Sequence, residues 1–200
     1  MEQREKKMKI RKIYKFENAH IVRGCTSRRC SESIHGHSYK VELIFASDHL
    51  DRGQMVYDFG LTKLTIKELI DSFDHAITLW SGDDPGYLRD MKKWSRRWVE
   101  LPVSPSAEQY ARVIFLMVEL VLNNTVTVNN EKNVTIDSVI VHETDTGYAM
   151  ASRADAHSEI MGKIDLAKIA FSEGVKEEWS DPEIWEKLLR GEKIVNPKKI

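Results

Sequence analysis

His20, His35 and His37 are the residues of this chain whose types and spacing point most directly to chemistry. Residues i and i+2 of a β-strand project to one face, so His35-Gly36-His37 brings two imidazoles together with no side chain between them. His20 closes the alternating run Ile13-Tyr14-Lys15-Phe16-Glu17-Asn18-Ala19, which can pair antiparallel with the run from His37 onward. Three neutral imidazoles and one open coordination position are the ligand set of a catalytic zinc, because a structural zinc fills all its positions with protein. The same spacing also suits strand histidines that face solvent or a groove without metal. Cys25 and Cys30 lie in the polar loop that follows, beside Arg23, Arg28 and Arg29, as candidate thiolates, with a Cys25–Cys30 disulfide as the alternative. Asp74-His75 forms a second titratable pair.

The elements that must carry these residues follow from periodicity. The sequence predicts strands over Lys9 to His20 and Gly36 to Ser47, an irregular loop over Ile21 to Ser33, and a short strand over Met55 to Asp58. Leu61, Leu64, Ile66, Leu69 and Ile70 recur at helical spacing, which predicts a helix over Phe59 to Phe73 with Asp74-His75 at its exit. Trp80 to Glu100 reads as an insertion, and its run Lys92-Lys93-Trp94-Ser95-Arg96-Arg97-Trp98 as a solvated amphipathic turn in preference to an RNA patch. Ser106 is an N-cap for a helix to about Leu122 with Val113, Leu116, Met117 and Leu120 facing the core. Val134 to Glu143 and Tyr148 to Arg153 read as a hairpin around Asp145-Thr146-Gly147. Strands separated by two helices argue for an α+β fold with an antiparallel sheet and helices on one face. From His157 the pattern loosens, and Ser180-Asp181-Pro182-Glu183 opens a short helix to Leu189.

Composition narrows the function classes. The chain has 200 residues, enough for one sizeable core, and its 30 Lys and Arg nearly balance 31 Asp and Glu. No global field favours nucleic acid or a membrane surface, so any anion site is local. The longest apolar stretch, Val113 to Leu122, contains Glu119 and is far shorter than a membrane span. Two cysteines and no signal-peptide pattern lead to the expectation of a reducing cytoplasm.

Phe16-Glu17-Asn18-Ala19-His20, Cys30 ahead of His35-Gly36-His37-Ser38-Tyr39, Asp58-Phe59, Asp74-His75, Pro105-Ser106-Ala107-Glu108 and His142-Glu143-Thr144 occur in one order. Together they resemble the 6-pyruvoyltetrahydropterin synthase family over about Met8 to Arg153, most closely its bacterial branch, the 6-carboxytetrahydropterin synthases of the queuosine pathway. The resemblance implies the tunnelling fold (T-fold): a four-stranded antiparallel sheet with two helices on one face, closing into an oligomeric barrel. It implies a T-fold domain over residues 8–155 and a C-terminal extension over 156–200 packed on it. It further implies a homohexamer of two stacked trimers with active sites between subunits.

By the same resemblance, His20, His35 and His37 bind zinc, and the substrate is the pterin triphosphate 7,8-dihydroneopterin triphosphate. The products are 6-carboxy-5,6,7,8-tetrahydropterin, acetaldehyde and triphosphate. Cys30 matches the family's base, Asp74 and His75 its proton-shuttling pair, and Glu143 its pterin anchor, with Glu108 a further candidate lining the pterin pocket. Four residues separate Cys30 from His35, where the bacterial branch usually has three and the animal branch five. Glu32 is therefore a rival base, resembling a branch that makes 6-hydroxymethyldihydropterin for folate synthesis. The animal-type 6-pyruvoyl product is a further alternative. Ala107 replaces a hydroxyl residue common in its segment, and Arg23, Arg28, Arg29 and Lys40 are candidates for the triphosphate.

Overall fold

The computed structural model describes residues 7–200. Its long strands, β1 (Met8–His20) and β2 (His35–Ser47), pair antiparallel along their whole length, from Met8 opposite Ser47 to His20 opposite His35. Alternation divides their side chains between two faces: Tyr14, Phe16, Asn18 and His20 are buried while Lys15 and Glu17 are exposed. Further along the chain lie β3 (Ala76–Trp80), β4 (Trp98–Leu101), β5 (Thr125–Val126), β6 (Thr135–His142), β7 (Tyr148–Ser152), β8 (Ala170–Phe171) and β9 (Ile194–Val195). The expected antiparallel unit is present as β7-β6-β2-β1. The sheet then continues through β3, β4 and β8 to seven strands, with β3 and β4 running parallel to β1.

After the single turn α1 (Arg28–Ser31), the helices α2 (Thr65–Asp71) and α4 (Ala107–Asn124) meet the buried face of the sheet, placing the two expected helices on one side. Phe16 and Tyr39 from the sheet, Phe73 after α2 and Tyr110 of α4 pack ring against ring, with centroids 5.0–6.2 Å apart. Ser106 caps α4 as expected, accepting the Gln109 N–H, and the apolar stripe lies in the core. Arg112 on the same helix is only 3% exposed. Its guanidinium donates to the carbonyls of Asp155, Ser158, Met161 and Gly162, tying the start of the C-terminal segment to α4.

Several segments depart from expectation. Met55 to Asp58 forms no strand, because the Asp51 carboxylate takes the N–H groups of Gly53 and Met55 and closes a turn; Val56 and Tyr57 instead pack with Leu61. The helix expected over Phe59 to Phe73 is broken at Leu64 (φ −87°, ψ −131°), with a single 3₁₀ turn at Leu61–Lys63 before α2. Asp58 accepts the Gly60 N–H and starts that tighter turn. Trp80 to Glu100 contains α3 (Pro85–Trp94), capped by Asp84, in a parallel strand-helix-strand unit that widens the sheet. Ser180 does not open the last helix. Its hydroxyl bonds Glu68, while Asp181 accepts the N–H groups of Glu183 and Ile184 ahead of Ile184–Leu189. Trp179, Ile184, Trp185 and Leu188 of this segment enter the main core.

Candidate metal centre and active site

The hairpin register sets the site. His20 stands directly opposite His35, and His37 follows two residues along on the same face. His20 Nε2 lies 3.1 Å from His35 Nε2, and one ring nitrogen from each of the three histidines falls within 4.8 Å of the others. Four-coordinate zinc at about 2.0–2.1 Å from each nitrogen sets adjacent donors about 3.4 Å apart, so this donor set fits a single ion. The outer nitrogens settle which lone pairs face inward. His20 Nδ1 donates to the Pro105 carbonyl at 2.6 Å and His35 Nδ1 to the Ser33 carbonyl at 3.0 Å, which leaves each Nε2 as an acceptor. His20 is fully buried, and burial, helped by the neighbouring His35 and His37 rings, pushes its pKa down to about 4. A neutral ring is the ligating form.

Glu143 reaches the same cluster from the end of β6. Its Oε1 lies 3.8 Å from His20 Nε2 and 3.9 Å from His37 Nε2, and accepts the Tyr39 hydroxyl at 3.1 Å. Oε2 has no hydrogen-bond partner among the described residues. Sequence reasoning missed Tyr39 and the Pro105 carbonyl. The signal for Tyr39 was its place two residues after His37, on the same strand face.

The loop between β1 and β2 carries the thiols, both free. Cys30 is half-buried in the single turn Arg28–Ser31, and its carbonyl accepts the Val22 N–H at 3.0 Å. It is close enough to Tyr39 for a thiolate to add to the effect of burial in raising that phenol's pKa. Glu32 turns outward, its carboxylate gripped by Arg28 at 3.2–3.3 Å with 58% of the side chain exposed. Arg23 is committed to Asp83 at 3.0 Å and to the Ser31 carbonyl at 3.0 Å, and Lys40 to Glu42 at 3.4 Å. Of the four candidate cations, Arg29 alone has no carboxylate partner among the described residues.

Asp74 and His75 stand at the entry to β3, beside Glu17 of β1. His75 Nδ1 is 3.0 Å from Asp74 Oδ2, and Asp74 Oδ1 accepts the Glu17 N–H at 2.8 Å. Partial burial raises the Asp74 pKa, but the Glu17 N–H and the His75 ring outweigh it and hold the carboxyl below its usual range. His75 lines a groove of about 470 Å³ with Glu17, Ala19, Gly36, His37 and Ser38. Its lining takes residues from both alternating sets of the strands, Glu17 and Ser38 from one and Asn18 and His37 from the other. Glu108 is exposed in the first turn of α4, and its side chain makes no hydrogen bond among the described residues. One chain thus assembles His20, His35, His37 and Glu143, with His37 and His75 lining one groove.

Residues 9–154 match the 6-pyruvoyl tetrahydropterin synthase family. A 6-carboxy-5,6,7,8-tetrahydropterin synthase of Helicobacter pylori is 35% identical over 187 residues, covering 93% of this chain and 94% of that protein. Its match therefore runs past residue 154 into the C-terminal segment. The enzyme of that name from Aquifex aeolicus is 31% identical over 126 residues, covering 54% of this chain and 77% of the relative. Among solved structures, Plasmodium vivax 6-pyruvoyl tetrahydropterin synthase superposes with a TM-score of 0.54 at 18% identity, covering 74% of this chain and 98% of that one. The Caenorhabditis elegans enzyme gives 0.51 at 17% identity, covering 74% and 96%. At such identities the structures establish a shared fold.

Proposed function

The chain belongs to the 6-pyruvoyl tetrahydropterin synthase family, and from that premise we propose that it is a zinc-dependent lyase of queuosine biosynthesis. It converts 7,8-dihydroneopterin triphosphate and one water to 6-carboxy-5,6,7,8-tetrahydropterin, acetaldehyde and triphosphate. The observation that carries this reading is the convergence of His20, His35 and His37 beside Glu143, in a chain that resembles a 6-carboxytetrahydropterin synthase over 93% of its length.

His20, His35 and His37 would hold the ion. When bound, zinc supplies Lewis-acid charge that offsets negative charge growing on the substrate's side-chain oxygens. Cys30, as thiolate, takes the carbon-bound proton of that side chain. The thiolate is the basic form of cysteine, and Arg29 in the same turn has no carboxylate partner among the described residues. Asp74 orients His75 through its carboxylate, and His75 carries the second proton. Tyr39 fixes one oxygen of Glu143 and leaves the other to accept pterin N–H groups. Glu108, in the first turn of α4, is a further candidate for the pterin pocket. By the same family reading, the active sites lie between subunits of a homohexamer, two trimers stacked, in the cytoplasm.

Glu32 is the rival base. A Plasmodium vivax 6-pyruvoyltetrahydropterin synthase has a catalytic glutamate. In this chain the grip of Arg28 on Glu32 favours Cys30. Mass spectrometry of the products made by zinc-loaded wild type, Cys30→Ala and Glu32→Gln tests the assignment. The expected outcome is 6-carboxytetrahydropterin from wild type and Glu32→Gln and none from Cys30→Ala. Formation of 6-hydroxymethyldihydropterin that disappears in Glu32→Gln would transfer the role to Glu32.

A further inference from the structure

The Asp74-His75 turn has little packing of its own. The His75 side chain is 75% exposed and its backbone lies at φ 51°, a left-handed conformation that residues other than glycine seldom adopt. An exposed ring on such a backbone is aimed by whatever fixes its peptide groups. The His75 N–H donates to the Glu17 carbonyl at 2.8 Å, which anchors one side of the turn to β1. The other anchor is Arg97. Its Nε donates to the Asp74 carbonyl, the oxygen of the peptide joining Asp74 to His75, at 2.9 Å; its Nη2 donates to the Asp71 carbonyl, at the end of α2, also at 2.9 Å. One planar guanidinium therefore spans the turn, in a fork geometry that an ammonium cannot reproduce.

Arg97 is itself held. Its Nη1 pairs with Glu178 at 2.6 Å and reaches the Gly174 carbonyl at 3.4 Å, and the side chain is only 15% exposed. Both partners belong to the C-terminal segment. That segment is fastened to the strand Arg97 leads into: the Ser172 N–H donates to the Trp98 carbonyl at 3.0 Å, and the Trp98 N–H to the Ser172 hydroxyl at 3.2 Å. Gly174 lies so close to Arg96 that an added Cβ would stand 2.5 Å from the Arg96 carbonyl. Close approach there requires glycine.

Resting on the reading that His75 carries a proton in the reaction, we propose that Arg97 is a positioning residue for the Asp74-His75 pair, held in place by Glu178 and Gly174 of the C-terminal segment. Arg97 acts through the Asp74 peptide, without touching substrate. The strand-helix-strand insertion and the C-terminal segment thereby acquire a shared task, because the first supplies the guanidinium and the second clamps it.

The test uses the full-length, zinc-loaded enzyme with 7,8-dihydroneopterin triphosphate, comparing wild type, Arg97→Ala, Arg97→Lys, Glu178→Gln and His75→Ala. The expected result for Arg97→Ala is a fall in kcat of about tenfold or more with KM within about twofold of wild type. Added guanidinium ion should restore kcat in Arg97→Ala and leave His75→Ala inactive. A role confined to stability would give neither the kcat-against-KM split nor that rescue. Wild-type kcat in Arg97→Ala, with His75→Ala inactive, would overturn the inference. Should Arg97→Ala not fold, wild-type kcat in both Arg97→Lys and Glu178→Gln overturns it instead. An active His75→Ala enzyme would remove the reading beneath it, a result distinguishable from failure at Arg97.

Discussion

Acid should destabilise the fold through His20. In the folded protein this ring titrates at about 4, against about 6.5 for an ordinary imidazole, because it is buried and faces two further histidines. Between those values the unfolded chain binds a proton that the folded chain refuses, so the His20 contribution is fully present above about pH 6.5 and is lost as pH falls toward 4. At about 1.4 kcal/mol per pH unit, the loss amounts to about 3 kcal/mol. Chelator-treated wild type and His20→Leu should be unfolded with urea at pH 7 and at pH 4. Wild type should lose about 3 kcal/mol more than the variant over that interval, since leucine has no proton to take up. The same pH dependence in both proteins would refute the argument that burial keeps this ligand neutral.

Arg112→Met should lower stability by about 3–5 kcal/mol, since it leaves four carbonyls of the 155–162 turn without their donor; urea unfolding measures it, and hydrogen exchange should rise in that turn first. Tyr39→Phe should keep the fold, because its ring still packs on Phe16 and Tyr110, and should cost about 1 kcal/mol or less in urea unfolding while kcat/KM drops several-fold through loss of the hydroxyl that holds Glu143. Asp83→Asn should loosen Arg23 and with it the Ser31 carbonyl, so that the alkylation rate of Cys30 changes; an unaltered rate would show that this clamp does not reach the thiol.

The histidine cluster was legible because strand alternation is a local rule: His35 and His37 share a face, and the antiparallel partner strand ends in His20 opposite them. The first two strands, the capped helix α4 and the hairpin of β6 and β7 were equally readable from patterns within one element. The break at Leu64 was not, because no glycine or proline marks it and the apolar spacing runs straight through. The strand-helix-strand unit was legible only in part. Asp84 and Pro85 are a helix start, yet β3 and β4 are too short for alternation to show. Glu143's distance from the imidazoles depends on pairing between β2 and β6, set by residues about a hundred positions apart, as in Lys40 opposite His142. In the sequence Arg97 belongs to a basic aromatic run, and the acceptors through which it spans the Asp74-His75 turn are backbone carbonyls that no side-chain motif records.

The most direct test of the central claim is elemental analysis of purified protein alongside its turnover of 7,8-dihydroneopterin triphosphate. The account predicts about one zinc per chain in wild type, with metal and activity lost together in His35→Ala and His37→Ala. Full turnover by protein stripped of metal, or by either histidine variant, would contradict it.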